Sequence, residues 1–210
     1  MYVPPHFEVS NPEILHDLIA HHPLGVLVTH SESGLNANHI PFELEANGST
    51  NAILRAHVAR NNPVWQLSAN GDEVLVVFQA DDAYISPNWY PSKHETHQQV
   101  PTWNYRVVHA YGKITIYDDE KYVRALVGRL TKKHEASQPK PWKMSDAPRD
   151  YMEMMVKSIV GIEIEITQMI GKFKLSQNRE NRDRLNAGQV LVEQGNEVLG
   201  KAMLDVVPPK

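Results

Sequence analysis

The sequence predicts an α+β fold that is mainly β, and three segments carry that prediction. Residues 74–80 (VLVVFQA) are apolar nearly throughout, which reads as a central strand buried on both faces. Residues 103–117 form the longest strand candidate, with Trp103, Tyr105, Val107, His109 and Tyr111 sharing one face. In 160–169, Ile162, Ile164 and Ile166 alternate with Glu163, Glu165 and Thr167, the pattern of a strand with one wet face. The first two strands together suggest a closed or nearly closed barrel.

The other elements follow in order. A first helix is expected over 11–21, with Ile14, Leu15 and Leu18 on one side. Two β-like segments come next, 24–30 and 37–45; in the second, Ile40, Phe42 and Leu44 alternate with Pro41, Glu43 and Glu45. Ala46-Asn47-Gly48-Ser49 reads as a hairpin turn, Asn-Gly supplying the positive φ angles. A strand over 52–59 then runs into Arg60-Asn61-Asn62-Pro63, where Asn62 can cap a helix and Pro63 suits its first position. Asp118 and Asp119 open a helix to about 134 with Tyr122, Leu126 and Leu130 at helical spacing. A second helix over 145–158 turns Met152, Met155, Val156 and Ile159 inward, and helical pattern resumes from Arg179. The proline-bearing stretch 137–141 separates two helices and not two domains. The expected organisation is therefore one domain over 1–178, with inserted helices at 118–158, and a helical tail over 179–210 packed on the same domain.

Bulk properties narrow the function classes. At 210 residues the chain can bury a substantial core without a staple. It has no cysteine, hence no disulfide or thiolate metal site, which suits a reducing compartment. The N-terminus lacks a signal-peptide pattern and no apolar run reaches membrane-spanning length, so a soluble cytoplasmic protein is expected. A net charge of −4 gives no overall footprint for DNA or RNA. His94-Glu95-Thr96-His97 has a spacing that a metal could use, but without an evident third ligand no metal is expected.

Four segments could carry chemistry. The strand-to-helix junction 55–63 suits a phosphate, since backbone N–H groups, a dipole end and Arg60 converge there, with His57 on the same face as Arg55. The plainer reading is a surface arginine and a core histidine. In the loop 84–91, Tyr84 and its neighbouring aromatics can stack on a planar ring, and Ser86 and Asn88 can bond its polar edge; a rigid packed loop explains the composition equally well. Thr102, Trp103 and Asn104 could add a flat slot and hydrogen-bonding groups. Lys172, Lys174, Arg179, Arg182 and Arg184 crowd a short stretch, which reads better as a salt-bridged subunit contact than as a phosphate or nucleic-acid site.

With these segments in place, the chain resembles the PaiB family, FMN-binding negative transcriptional regulators on the FMN-binding split-barrel fold. The resemblance runs through MYVPPHF at the start, NHIPFEL (38–44), AHVARNNPVW (56–65), VLVVFQADDAYISPNWYPSK (74–93), VPTWNYRVVHAYG (100–112), LTKKHE (130–135) and GKFKLSQN (171–178). It implies a six-stranded split barrel with flanking helices, and a homodimer with flavin sites at the subunit interface. Flavin phosphate contacts would fall near His57, Val58, Arg60 and Asn61. The ring would lie against Tyr84, Ile85, Ser86, Thr102, Trp103 and Asn104, with Lys172 or Lys174 reaching over from the partner subunit. The implied role is negative regulation or redox and metabolic sensing. The alternative is a flavin-dependent oxidoreductase or haem-degrading enzyme, for which no catalytic residue stands out. The long proline-rich connection between the two helices is unlike a helix-turn-helix, so a DNA contact has no recognisable motif behind it.

Overall fold

A computed structural model describes residues 1–47 and 51–206. In chain order the elements are β1 (Glu8–Val9), α1 (Pro12–His21), β2 (Leu24–Ser31), β3 (Gly34–Pro41), β4 (Glu43–Asn47), β5 (Asn51–Ala59), α2 (Val64–Leu67) and β6 (Glu73–Ile85). They continue with α3 (Pro91–Thr96), β7 (Thr102–Tyr117), α4 (Glu120–Glu135), α5 (Arg149–Lys157), β8 (Ile159–Lys174), α6 (Asn181–Glu193) and α7 (Glu197–Asp205). The strand order is β3-β2-β6-β7-β8-β5-β4, with β1 added on β8.

This path has two ends, so of the expected closed or nearly closed barrel the closed form is set aside: the sheet is not closed. The strand count changes for a local reason. The segment expected as one strand over 37–45 is two, because Pro41 has no N–H to continue the ladder and Phe42 turns inward, 2% exposed. The two-residue β1 is the other addition, pairing Glu8 with Lys172. Of the expected turn at 46–49, Gly48 and Ser49 lie outside the described residues.

The chain divides into two compact units, and β6, β7 and β8 each contribute residues to both. One unit comprises 1–18, 78–109 and 170–210; the other comprises 19–77 and 110–169.

In the second unit, β2 and β3 form a hairpin from Leu24↔Pro41 to Ser31↔Gly34, and β5 pairs with β8 through Leu54↔Ile164 and His57↔Gly161. Leu27, Leu54, Ala56, Val76, Ile114, Leu126, Val160, Ile162 and Ile164 fill its core. On β6, Val74 and Val76 are buried but Leu75 and Val77 are half-buried, so the strand buries one face and not both. A strand packed on a single side needs only alternate residues inside. Asp119 caps α4 by accepting the Tyr122 N–H at 2.6 Å. Tyr122 then lies over Gly161, where an added Cβ would sit 2.6 Å from its ring. α5 turns only Val156 fully inward; Met155 is exposed and Met152 and Ile159 are half-buried, so the inward set was overestimated.

In the first unit, Phe78, Ile85, Tyr90, Leu199 and Met203 are fully buried. α6 and α7 approach so closely that a Cβ on Gly200 would lie 2.8 Å from the Gly188 carbonyl oxygen. On β7 the unit buries Asn104 and Val108 fully, while Trp103 is exposed and Tyr105 half-buried.

Candidate functional site

The first unit presents an aromatic wall edged by cations. Tyr84, near the end of β6, is 47% exposed and Trp103 on β7 is 55% exposed. Their rings meet edge to face at 6.1 Å, a favoured aromatic geometry. Trp103 and Tyr105 lie on one face of β7 because side chains alternate along a strand. Lys172 Nζ lies 5.4 Å from the Tyr105 ring centroid and donates to the Tyr2 carbonyl at 3.2 Å. Lys174 Nζ donates to Thr102 Oγ1. The Arg179 guanidinium stands 5.6 Å over Tyr90.

These three cations share one property. Among the described residues, none of Lys172, Lys174 and Arg179 is in an ion pair. Burial, then the like charges of Lys172 and Arg179, lowers the Lys174 pKa. An uncompensated positive cluster at a half-buried lysine favours an added anion.

Ile85 and Asn104 belong to the other side of this wall, both fully buried. Asn104 Nδ2 donates to Ser176 Oγ at 2.9 Å and touches Met203 Sδ at 3.3 Å, while its Oδ1 has no partner. Ser176 also meets the Tyr90 hydroxyl at 3.3 Å, from a left-handed backbone with φ 64°, a conformation that non-glycine residues adopt at some cost. Ser86 accepts the Asn88 N–H at 3.2 Å and so shapes the turn that follows β6. That loop is held from α6. Asp183, fully buried, accepts from Ser92 N at 2.9 Å and from Ser92 Oγ at 2.6 Å. Asn186 donates to the Trp89 carbonyl at 2.8 Å, and Arg182 makes a bidentate pair with Glu95.

The second unit holds the other predicted group. Asn61 is exposed, Val58 is buried and His57 is half-buried, with its Nδ1 unpartnered and its pKa lowered by burial. Asn62 Oδ1 accepts the Val64 N–H at 3.0 Å as a capping side chain would, but α2 is a single turn, a weak source of helix dipole. Arg60 has an acidic partner: both terminal nitrogens bond Asp118 at 3.0 and 2.6 Å, Nε bonds the Lys157 carbonyl at 2.6 Å, and the guanidinium lies 5.7 Å from the Trp65 ring. The Arg60 bond holds the Asp118 carboxyl below its ordinary pKa.

The structure thus gathers Tyr84, Ser86, Thr102, Trp103 and Lys172 in one unit and His57, Val58, Arg60 and Asn61 in the other. The basic stretch 172–184 is split by role. Arg182 is ion-paired, and Arg184 is buried with Nη1 on the Met203 and Leu204 carbonyls at the end of α7. Sequence reasoning passed over Ser176 and Asp183, and it counted Tyr90 among the loop aromatics open to a ring, whereas its side chain is fully buried. Asp183 sits in a run of polar helical residues, where nothing marks it as the one that turns inward.

Residues 1–168 match the family described as "Putative FMN-binding domain". The chain is 39% identical over 206 residues to the uncharacterized protein AN0679 of Emericella nidulans, covering 81% of this chain and 82% of that protein. It is 31% identical over 196 residues to the Protease synthase and sporulation protein PAI 2 of Bacillus subtilis, covering 93% and 91%. Among solved structures it resembles the FAD and heme binding protein of Mycobacterium smegmatis, with a TM-score of 0.59 at 15% identity over 80% of this chain and 73% of that one. It also resembles the flavocytochrome Anf3 of Azotobacter vinelandii, with a TM-score of 0.54 at 11% identity over 82% and 72%. At such identities the structural likeness speaks for the fold, the split barrel of flavin-binding proteins.

Proposed function

Since this chain belongs to the family of FMN-binding domains, we propose that it binds FMN on its first unit, works as a homodimer, and serves negative regulation as a redox or metabolic sensor. One observation carries the reading: Lys172 and Lys174 contact Tyr105 and Thr102, the strand neighbours of the exposed Trp103, and Arg179 acts on Lys174, all three without a carboxylate partner among the described residues. FMN has the matching chemistry, a flat ring joined to a phosphate. Tyr84 and Trp103 offer the ring a stacking surface. The cations offer the phosphate charge-assisted hydrogen bonds, with Thr102 Oγ1 steadying Lys174.

When bound, FMN supplies electron-transfer chemistry of its own. The chain's residues orient it: the Asp183–Ser92 bonds fix the loop behind Tyr84, and the Asn104–Ser176–Tyr90 contacts fix the strand behind Trp103. The exposed aromatics also support the dimer, because side chains of this size left open mark a surface that another molecule covers. The regulatory part of the reading rests on the resemblance to the PaiB family, and the Bacillus subtilis relative is by name a protease synthase and sporulation protein.

The Arg60 junction is the rival place for the phosphate. What weighs against it is that Arg60 is already paired with the Asp118 carboxylate and bonded to the Lys157 carbonyl.

The test is to purify the protein, dialyse it against FMN and record the flavin absorbance that stays with it, with sedimentation in parallel. FMN retained at one per chain on a dimer is the expected result. No retained or rebound flavin defeats the binding reading, and a monomer at all concentrations defeats the dimer.

A further inference from the structure

We propose that the groove between the second half of α4 and the segment 141–145 is a binding site for a small amphiphilic anion, an acyl or aromatic carboxylate. This inference is independent of the flavin reading. The groove lies in the second unit, has a volume of about 630 Å³, and is lined by Gly128, Thr131 and Ala136 on one side and Pro141, Trp142 and Met144 on the other. That volume is in the range of about 300–1,000 Å³ typical of small-ligand sites. Met144 lies close to Gly128, where an added Cβ would sit 3.7 Å from its Sδ, so the two sides of the groove meet there. Trp142 keeps 43% of its surface exposed, an aromatic side chain with one face to offer.

Charge selects the ligand. Lys132 and Lys143 line the groove, Lys133 and Lys140 lie nearby in the chain, and none of the four is in an ion pair among the described residues. Glu135 is the one carboxylate of the lining, and its Oε2 already accepts the Trp142 N–H at 2.8 Å. Residues 129–143 carry five lysines and arginines against that single acid, in a chain of net charge −4. A neutral apolar ligand would leave the two lining ammonium groups unused, and a nucleic acid would leave the Trp142 and Met144 walls unused. An apolar body with one carboxylate uses both.

The experiment titrates decanoate, and decanol as its neutral counterpart, into the full-length protein and into the Lys132→Ala/Lys143→Ala variant, following binding by calorimetry. Both lysines are exposed, so the variant folds without losing a core contact. Saturable decanoate binding, weakened about fivefold or more in the variant and by added salt, and stronger than that of decanol, is expected. Three results overturn the proposal: no saturable heat with decanoate, equal binding of decanol, or an unchanged affinity in the double variant. A short DNA duplex that binds where decanoate does not overturns it as well. FMN titration of the same variant should match the wild type, so the two sites succeed or fail separately.

Discussion

Arg60 and Lys174 are both basic residues beside an aromatic ring or strand, and both were expected near the flavin, yet their surroundings differ in the one way that matters to a ligand. Arg60 meets a carboxylate, a carbonyl and an indole ring, and its charge is answered by Asp118. Lys174 meets a hydroxyl and the like charges of Lys172 and Arg179, and its pKa is lowered. A cation whose charge is answered inside the chain closes a structure; one whose charge is left unanswered awaits an anion. The difference is open to attack from either side. The largest expected effect is on the Lys174 side: Lys174→Ala combined with Arg179→Ala should weaken FMN binding by about tenfold to a hundredfold, the scale of lost charge-assisted hydrogen bonds. Flavin fluorescence titration measures it, and an unchanged midpoint would remove the phosphate from this unit.

A second effect concerns what holds the wall in place. Asp183→Ala leaves the Ser92 N–H and hydroxyl without their acceptor in a fully buried place, at a cost of about 1–3 kcal/mol. Urea unfolding followed by tryptophan fluorescence should show the midpoint falling. If it stays, the clamp on the loop is ornamental.

How much of this was legible beforehand follows the physics of each feature. The six strand positions could be read because alternation and β-branched runs are local patterns, and the wall residues Tyr84 and Trp103 because aromatics next to turns stand out. Burial on one face of β6 could not be read, since VLVVFQA has the same letters whether one side or two are covered. Nor could the Asp183–Ser92 bonds, which join positions 91 residues apart. The division of the basic stretch into paired, capping and unpaired cations depends on Glu95 and on the last carbonyls of α7, which only folding brings near.

Smaller effects sharpen the comparison further. Trp103→Ala removes one ring of the edge-to-face pair and should weaken FMN by roughly threefold to tenfold, with flavin fluorescence less quenched in the complex. Equal quenching in the variant would place the ring elsewhere. His57 tests the second unit through pH. Burial lowers its pKa from the ordinary 6.5, so below that value the unfolded chain takes up more protons and stability must fall as the solution is acidified. His57→Gln should flatten part of this acid-side fall in thermal midpoint while leaving the neutral-pH behaviour closer to wild type. An identical pH profile in the variant would mean that the half-buried ring is protonated in the fold as readily as in the open chain.

The smallest expected effect on the cofactor is that of Arg60→Ala. Its partners are largely exposed, with Arg60 38% and Asp118 47% exposed at the side chain, and exposed pairs contribute little to stability. FMN affinity should therefore stay within about twofold of wild type, since the charge of Arg60 is already paired with the Asp118 carboxylate. A tenfold loss would reverse the comparison: the Asp118 pair would then be a resting state that the phosphate displaces, and the strand-to-helix junction would be the anion site after all. Asp118→Asn separates the two cases. If Arg60 only closes the structure, freeing it leaves FMN affinity where it was; if Arg60 is held in reserve for the phosphate, freeing it makes FMN bind more tightly, because the competing carboxylate is gone.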